Sequence, residues 1–176
     1  MKVINLFGGP GAGKSTTAAG LFFLMKTDPS IRSVELVTEF AKDLVYAERF
    51  KELEGNNQLY ITAKQFSRLK RLSNQVDYAI TDSPIIQSLM YTPRDYFPSF
   101  GSLLKEIYSS FDNINIFIKR VKPYKKYGRA QTEEESDVIG NNIWHFLSIN
   151  DISYSAVNGD ALAPDSILKL IKEKEI

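Results

Sequence analysis

Residues 2–15, KVINLFGGPGAGKS, constrain the fold more than any other stretch of the chain. The first six form an apolar run suited to a buried parallel strand, and a glycine-rich segment follows without a gap. Gly8, Gly13, Lys14 and Ser15 satisfy the spacing GxxxxGK(S/T) of a phosphate-binding loop. Each residue type has a chemical reason. Glycines let successive N–H groups turn inward onto phosphate oxygens. Lys14 supplies a mobile positive charge, and the Ser15 hydroxyl is suited to ligate Mg²⁺. Gly8, Gly9, Pro10, Gly11, Ala12, Gly13, Lys14, Ser15 and Thr16 are therefore read as the cradle for the phosphates of a nucleotide, with ATP and GTP not distinguished. Residues 16–24 read as a helix whose N-terminal dipole faces the bound anion. A strand before and a helix after separate this motif from a chance glycine-rich turn.

A chain of 176 residues suits one domain with a sizeable core, and the expectation is a single domain over 1–176. Hydrophobic residues at 43% are too many for a disordered chain. There is no cysteine, which removes disulfides, thiolate zinc sites and thiol catalysis. His145 is the sole histidine, so a histidine metal cluster is impossible. The chain opens directly on its first strand, and no apolar run approaches the ~20 residues of a membrane span. The expectation is a cytoplasmic protein with no membrane partner. A net charge of +1 lacks the basic excess of a duplex-binding domain.

Along the chain, residues 34–38 (VELVT) read as a second strand with Glu39 at its carboxyl end. Residues 40–53 read as a helix with Phe40, Leu44, Ala47 and Phe50 on its apolar face. From Tyr60 a further helix is expected to bury Ala63, Phe66, Leu69 and Leu72, leaving Lys64, Gln65, Arg68 and Arg71 outside. Strand three, YAIT at 78–81, ends at Asp82, and a helix is expected after Pro84. Residues 92–101 read as an ordered loop, 102–111 as a helix and NIFI at 115–118 as strand four. Residues 119–129 hold six basic residues and no acids, and the acidic TEEESD at 132–137 reads as a helix start. ISYSAV at 152–157 is expected as strand five, with a terminal helix from Pro164. Strands alternating with helices imply an α/β fold with a five-stranded parallel sheet covered on both faces, and a ligand site at the carboxyl ends of the strands.

The loop, the VTEFAKDL segment, the strand ending in TDSP and the basic segment containing YGR together resemble a small P-loop kinase. The likeness is to the nicotinamide riboside kinase domain of NadR-type proteins and to related phage-encoded P-loop kinases and ATPases, and it spans nearly the whole chain. It implies a P-loop NTPase fold with a lid over roughly 119–135, ATP and Mg²⁺ as cofactors, and a nucleoside- or nucleotide-type acceptor.

On this resemblance Asp82 matches the strand-end aspartate that positions Mg²⁺ together with Ser15, although a helix cap would also explain it. Glu39 stands where such kinases place a carboxylate near the acceptor and is the candidate base, with Asp43 one turn on as support; a surface acid at a helix start is the alternative. Arg120, Lys122, Lys125, Lys126 and Arg129 resemble a lid, with Gly128 as hinge. Arg120 and Arg129 are preferred as phosphate contacts because guanidinium binds phosphate as a fork. Gln65 and Arg68 would reach a base or an acceptor phosphate, or form an exposed helix face. Arg94, with Tyr96 and Phe97, would stack on a base or pack a loop. Asn158 and Asp160 would border the adenine, or simply make a turn.

Three acceptors stay open: nicotinamide riboside, a deoxynucleoside monophosphate, or a hydroxymethylated pyrimidine within DNA. The last would make DNA the substrate, in the host cytoplasm if the chain is phage-encoded. A different class of function, a partner-dependent ATPase or ATP-binding switch, is the competing reading. No oligomeric state follows from the sequence.

Overall fold

Strand β1, Lys2–Phe7, forms where five consecutive side chains can be buried. Its pleat sorts them: Ile4 and Leu6 face one layer, Val3 and Phe7 the other. The computed structural model describes residues 1–53, 55–125 and 132–174. β1 lies at the centre of a five-stranded sheet with β2 (Val34–Val37), β3 (Tyr78–Thr81), β4 (Asp112–Lys119) and β5 (Ser155–Asn158), in the order β2-β3-β1-β4-β5. Every adjacent pair is parallel. In register, Asn5 lies beside Thr81 on one neighbour and Asn115 on the other. Its buried amide is satisfied by Asn113 Oδ1 at 2.9 Å and Asn115 Oδ1 at 3.1 Å, which makes a polar residue tolerable in the middle strand.

Helix α1, Lys14–Thr27, packs its Ala18, Leu21 and Met25 face on the sheet beside α6, Ala163–Lys174. The opposite layer holds α3 (Gln58–Lys70), α4 (Phe100–Ser109) and α5 (Glu133–Ile149), with a 3-10 segment at Ile85–Tyr91 after β3. Each fully buried Leu or Ile in these layers is worth roughly 1.5–3 kcal/mol of transfer free energy. A capping box starts α5: Thr132 Oγ1 accepts from Glu135 N, and Glu135 Oε2 accepts from Thr132 N at 2.8 Å.

Several expected elements differ. Helix α2 is only Phe40–Tyr46, followed by a 3-10 turn at Phe50–Leu53, because of its apolar positions only Leu44 is buried while Phe50 is 58% exposed. Too little apolar face is covered to carry a longer helix. Strand β4 is twice the expected length, and β5 begins three residues late. The buried stripe of α3 is Gln58, Thr62, Gln65 and Leu69, with Ala63 exposed. The apolar periodicity chose a neighbouring face because Gln65, polar by type, is buried through partners distant in sequence, Phe40 N and Thr81 Oγ1.

Candidate active site

The carboxyl ends of the strands converge on the loop after β1. Gly13 there adopts φ of +105°, a left-handed conformation open to glycine, and so turns the chain into α1. Lys14 Nζ donates to the carbonyls of Gly8 at 2.6 Å and Gly9 at 3.2 Å, which places its charge across the loop. Two other elements brace the loop. Ser136 of α5 donates to Pro10 O at 2.5 Å. From the β5–α6 turn, Gly159 comes so near that a Cβ there would stand 2.0 Å from Ala12 O. Thr16 is exposed at the start of α1.

Ser15 and Asp82 meet at the end of β3: Ser15 Oγ donates to Asp82 Oδ2 at 2.5 Å. Asp82 is 7% exposed, and its Oδ1 is buried without a hydrogen-bond partner among the described residues. It does not cap the following segment, whose N-cap is Pro84. A hydroxyl and a carboxylate with a spare buried oxygen suit a hard divalent cation such as Mg²⁺. Among the described residues no group of three or more His, Cys, Asp or Glu side chains forms a metal cage. An ion here would draw its other ligands from phosphate oxygens and solvent.

Glu39 is the N-cap residue of α2, but its side chain makes no capping bond. Its carboxylate lies 3.7 Å from Lys42 Nζ and keeps 34% of its accessible surface. Partial burial raises its pKa above the ordinary carboxylate value; Lys42 opposes this, Asp82 adds to it and Lys14 opposes it. The Tyr91 phenol takes a hydrogen bond from Gln87 Nε2 at 3.3 Å. Although the residue is 54% exposed, desolvation raises that phenol's pKa, helped by the charge of Glu39. Lys42 and Tyr91 were not singled out from the sequence. The (i, i+3) spacing of Glu39 and Lys42 on one helix was the available signal for Lys42.

Other candidates are spent on holding the scaffold. Gln65, expected on an exposed face, is 3% exposed: Oε1 accepts from Phe40 N at 3.0 Å and Nε2 reaches Thr81 Oγ1 at 3.3 Å. Arg68 ion-pairs with Asp43, donates to Thr38 O at 3.0 Å and lies over the Phe40 ring. Asp43 thus ties the first turn of α2, which Glu39 caps, to α3 through Arg68. Arg94 is exposed on its loop, while Tyr96 packs that loop, accepting from Leu59 N at 3.1 Å and meeting Phe97 and Phe100 edge-on.

Arg120, expected as a phosphate contact, is instead ion-paired with Glu133 and Asp137 in the first turns of α5. Two carboxylates outcompete solvent for its fork. Lys122 is the basic residue that reaches the loop, its Nζ 2.9 Å from where a Cβ on Gly13 would stand. Lys126, Gly128 and Arg129 lie outside the described residues. Asn158 is exposed at the end of β5, and Asp160 Oδ1 accepts from Leu162 N at 2.9 Å as α6 begins.

No family model and no curated protein sequence matches the chain. Solved structures do. A NadR protein in complex with NR aligns with a TM-score of 0.68 and 17% identity, covering 96% of this chain and 51% of that one. The present chain thus spans about half the length of that NadR chain. A deoxyadenosine kinase from M. mycoides with bound dATP aligns at 0.58 and 19% identity over 100% of both chains. A thymidylate kinase from Ehrlichia chaffeensis aligns at 0.60 and 15%, covering 97% of this chain and 98% of its own. With the sheet order, the phosphate-binding loop and the Ser15–Asp82 pair already in place, these likenesses show that the chain has the fold of the P-loop nucleoside and nucleotide kinases.

Proposed function

We propose that residues 1–176 form one kinase domain, an ATP- and Mg²⁺-dependent phosphotransferase acting on a nucleoside- or nucleotide-type acceptor. The observation that carries this reading is the Ser15–Asp82 contact of 2.5 Å at the mouth of the phosphate-binding loop, with Glu39 in the same cluster. A phosphate-binding loop alone serves many activities. A second carboxylate beside Ser15 and Asp82, its pKa raised above the ordinary carboxylate value chiefly by burial, adds a proton acceptor for transfer to a hydroxyl.

In this reading the backbone N–H groups of residues 8–15 and Lys14 hold the β- and γ-phosphates, with Lys122 adding charge from the far side. Bound Mg²⁺ would neutralise charge on the transferring phosphoryl group. Ser15 and Asp82 hold that ion. Glu39 orients the acceptor hydroxyl and takes its proton as the new P–O bond forms and the bond to ADP breaks. The structural likenesses favour a free small molecule: the NadR chain is described with NR and the deoxyadenosine kinase with dATP.

The test is incubation with Mg²⁺ and γ-labelled ATP against nucleosides, nucleoside monophosphates, nicotinamide riboside, and plain and hydroxymethylated DNA. Label on one small-molecule acceptor is the expected result. Label released only to water, or retained on ATP, contradicts a kinase and supports a partner-dependent ATPase.

A further inference from the structure

The ammonium of Lys42 sits among the oxygens that the preceding reading assigns to the metal. Its Nζ donates to Ser15 Oγ at 2.9 Å and Asp82 Oδ2 at 3.2 Å, and lies 3.7 Å from Glu39 Oε2. Three elements supply those oxygens: the start of α1, the end of β3 and the N-cap of α2. The Ser15 hydroxyl is used both as donor and as acceptor. Ser15 Oγ gives its one proton to Asp82 and accepts one from Lys42, as a hydroxyl can. Nor is Lys42 placed there by a loose tether. The first turn of its helix is pinned by the Phe40 N–H to Gln65 and by the Asp43–Arg68 ion pair.

We infer that Lys42 is an internal counter-cation that holds the metal position in the nucleotide-free protein and competes with divalent ions for it. A metal bound to Ser15 Oγ at about 2.1 Å cannot share that oxygen and the Asp82 carboxylate with an ammonium at its present distance. Contact repulsion and like charge both oppose it. Divalent ions are therefore held weakly without nucleotide and more tightly once nucleotide phosphates supply further ligands, with the Lys42 ammonium giving up Ser15 Oγ and Asp82 Oδ2 and keeping Glu39 as its partner. Lys42 becomes a positioning residue that links metal arrival to the rearrangement of the candidate base. The inference rests on the metal site of the proposed function and makes its own claim about the protein without nucleotide.

The test is Mn²⁺ titration of the whole chain without nucleotide, followed by electron paramagnetic resonance, for wild type, Lys42→Met, Lys42→Arg and Asp82→Asn. Thermal melting of each confirms folding. Lys42→Met is expected to bind Mn²⁺ at least about tenfold more tightly than wild type, the scale of removing one neighbouring charge in a partly exposed site. Lys42→Arg, which keeps the charge, should stay within a few-fold of wild type, and Asp82→Asn should bind weakest. Equal or weaker binding by Lys42→Met, with Asp82→Asn still defective, overturns the role of Lys42 alone. Undiminished binding of Mn²⁺, and of Mn²⁺ with ATP, by Asp82→Asn removes the metal site itself. A measurement on unmodified protein covers the case in which Lys42→Met fails to fold. Amide exchange over residues 40–46 should change with Mg²⁺ plus a non-hydrolysable ATP analogue and not with the analogue in EDTA. Identical exchange in the two also overturns the inference.

Discussion

Glu39 stands between two opposing influences, and the balance decides its chemistry. Partial burial favours the neutral acid, while Lys42 favours the anion. Burial is the larger effect, so the folded protein holds the proton more tightly than the unfolded chain does. The stability linked to this group is present at acidic pH and is lost as pH rises through the elevated pKa. Glu39→Gln, which mimics the protonated form, should therefore raise Tm relative to wild type at neutral pH, and the difference should vanish near pH 4. The same variant should retain ATP binding and lose about 10²–10⁴-fold in transfer, the usual contribution of a general base. Transfer at the wild-type rate would remove Glu39 from that role. Gln65 acts at one remove. Gln65→Leu leaves the Phe40 N–H unsatisfied and should cost about 1–3 kcal/mol in urea unfolding, with a loss of transfer because α2 carries Glu39 and Lys42. Unchanged stability would show that this amide does not anchor the helix.

Among elements, the phosphate-binding loop is held by neighbours far away in sequence. Ser136 fixes it from α5, and Gly159 fixes it from the β5–α6 turn. Gly159→Ala would drive a methyl group into the Ala12 carbonyl. It should destabilise the fold by about 2 kcal/mol or more and raise the KM for ATP, read by melting and steady-state kinetics. A variant with wild-type values for both would mean that the turn yields freely. These braces also mark what could be read from the chain beforehand. β1, the loop, the strand-end positions of Glu39 and Asp82, and the acidic start of α5 were legible because each follows from local pattern. The buried face of α3 was not. Gln58, Thr62 and Gln65 are polar by type, and Gln65 becomes a core residue through partners at Phe40 and Thr81. Arg120 misled for the same reason. Its charge suggested phosphate, but the pairing that holds it depends on where α5 begins.

At the scale of the molecule, the order β2-β3-β1-β4-β5 brings the ends of β1 and β3 side by side. That adjacency lets Ser15, six residues beyond Gly9, meet Asp82 across 67 positions of sequence. Helix α2, leaving β2 on the far side of β3, delivers Glu39 and Lys42 to the same point. In the proposed function, β1, α1 and the β5–α6 turn form a phosphate half and α2 with the segment after β3 an acceptor half. The most direct test of this division is ³¹P nuclear magnetic resonance of a reaction containing the protein, Mg²⁺, ATP and the best acceptor from the panel. A phosphorylated acceptor signal growing in step with ADP is the predicted result. Inorganic phosphate growing in step with ADP, with no acceptor signal, would contradict it.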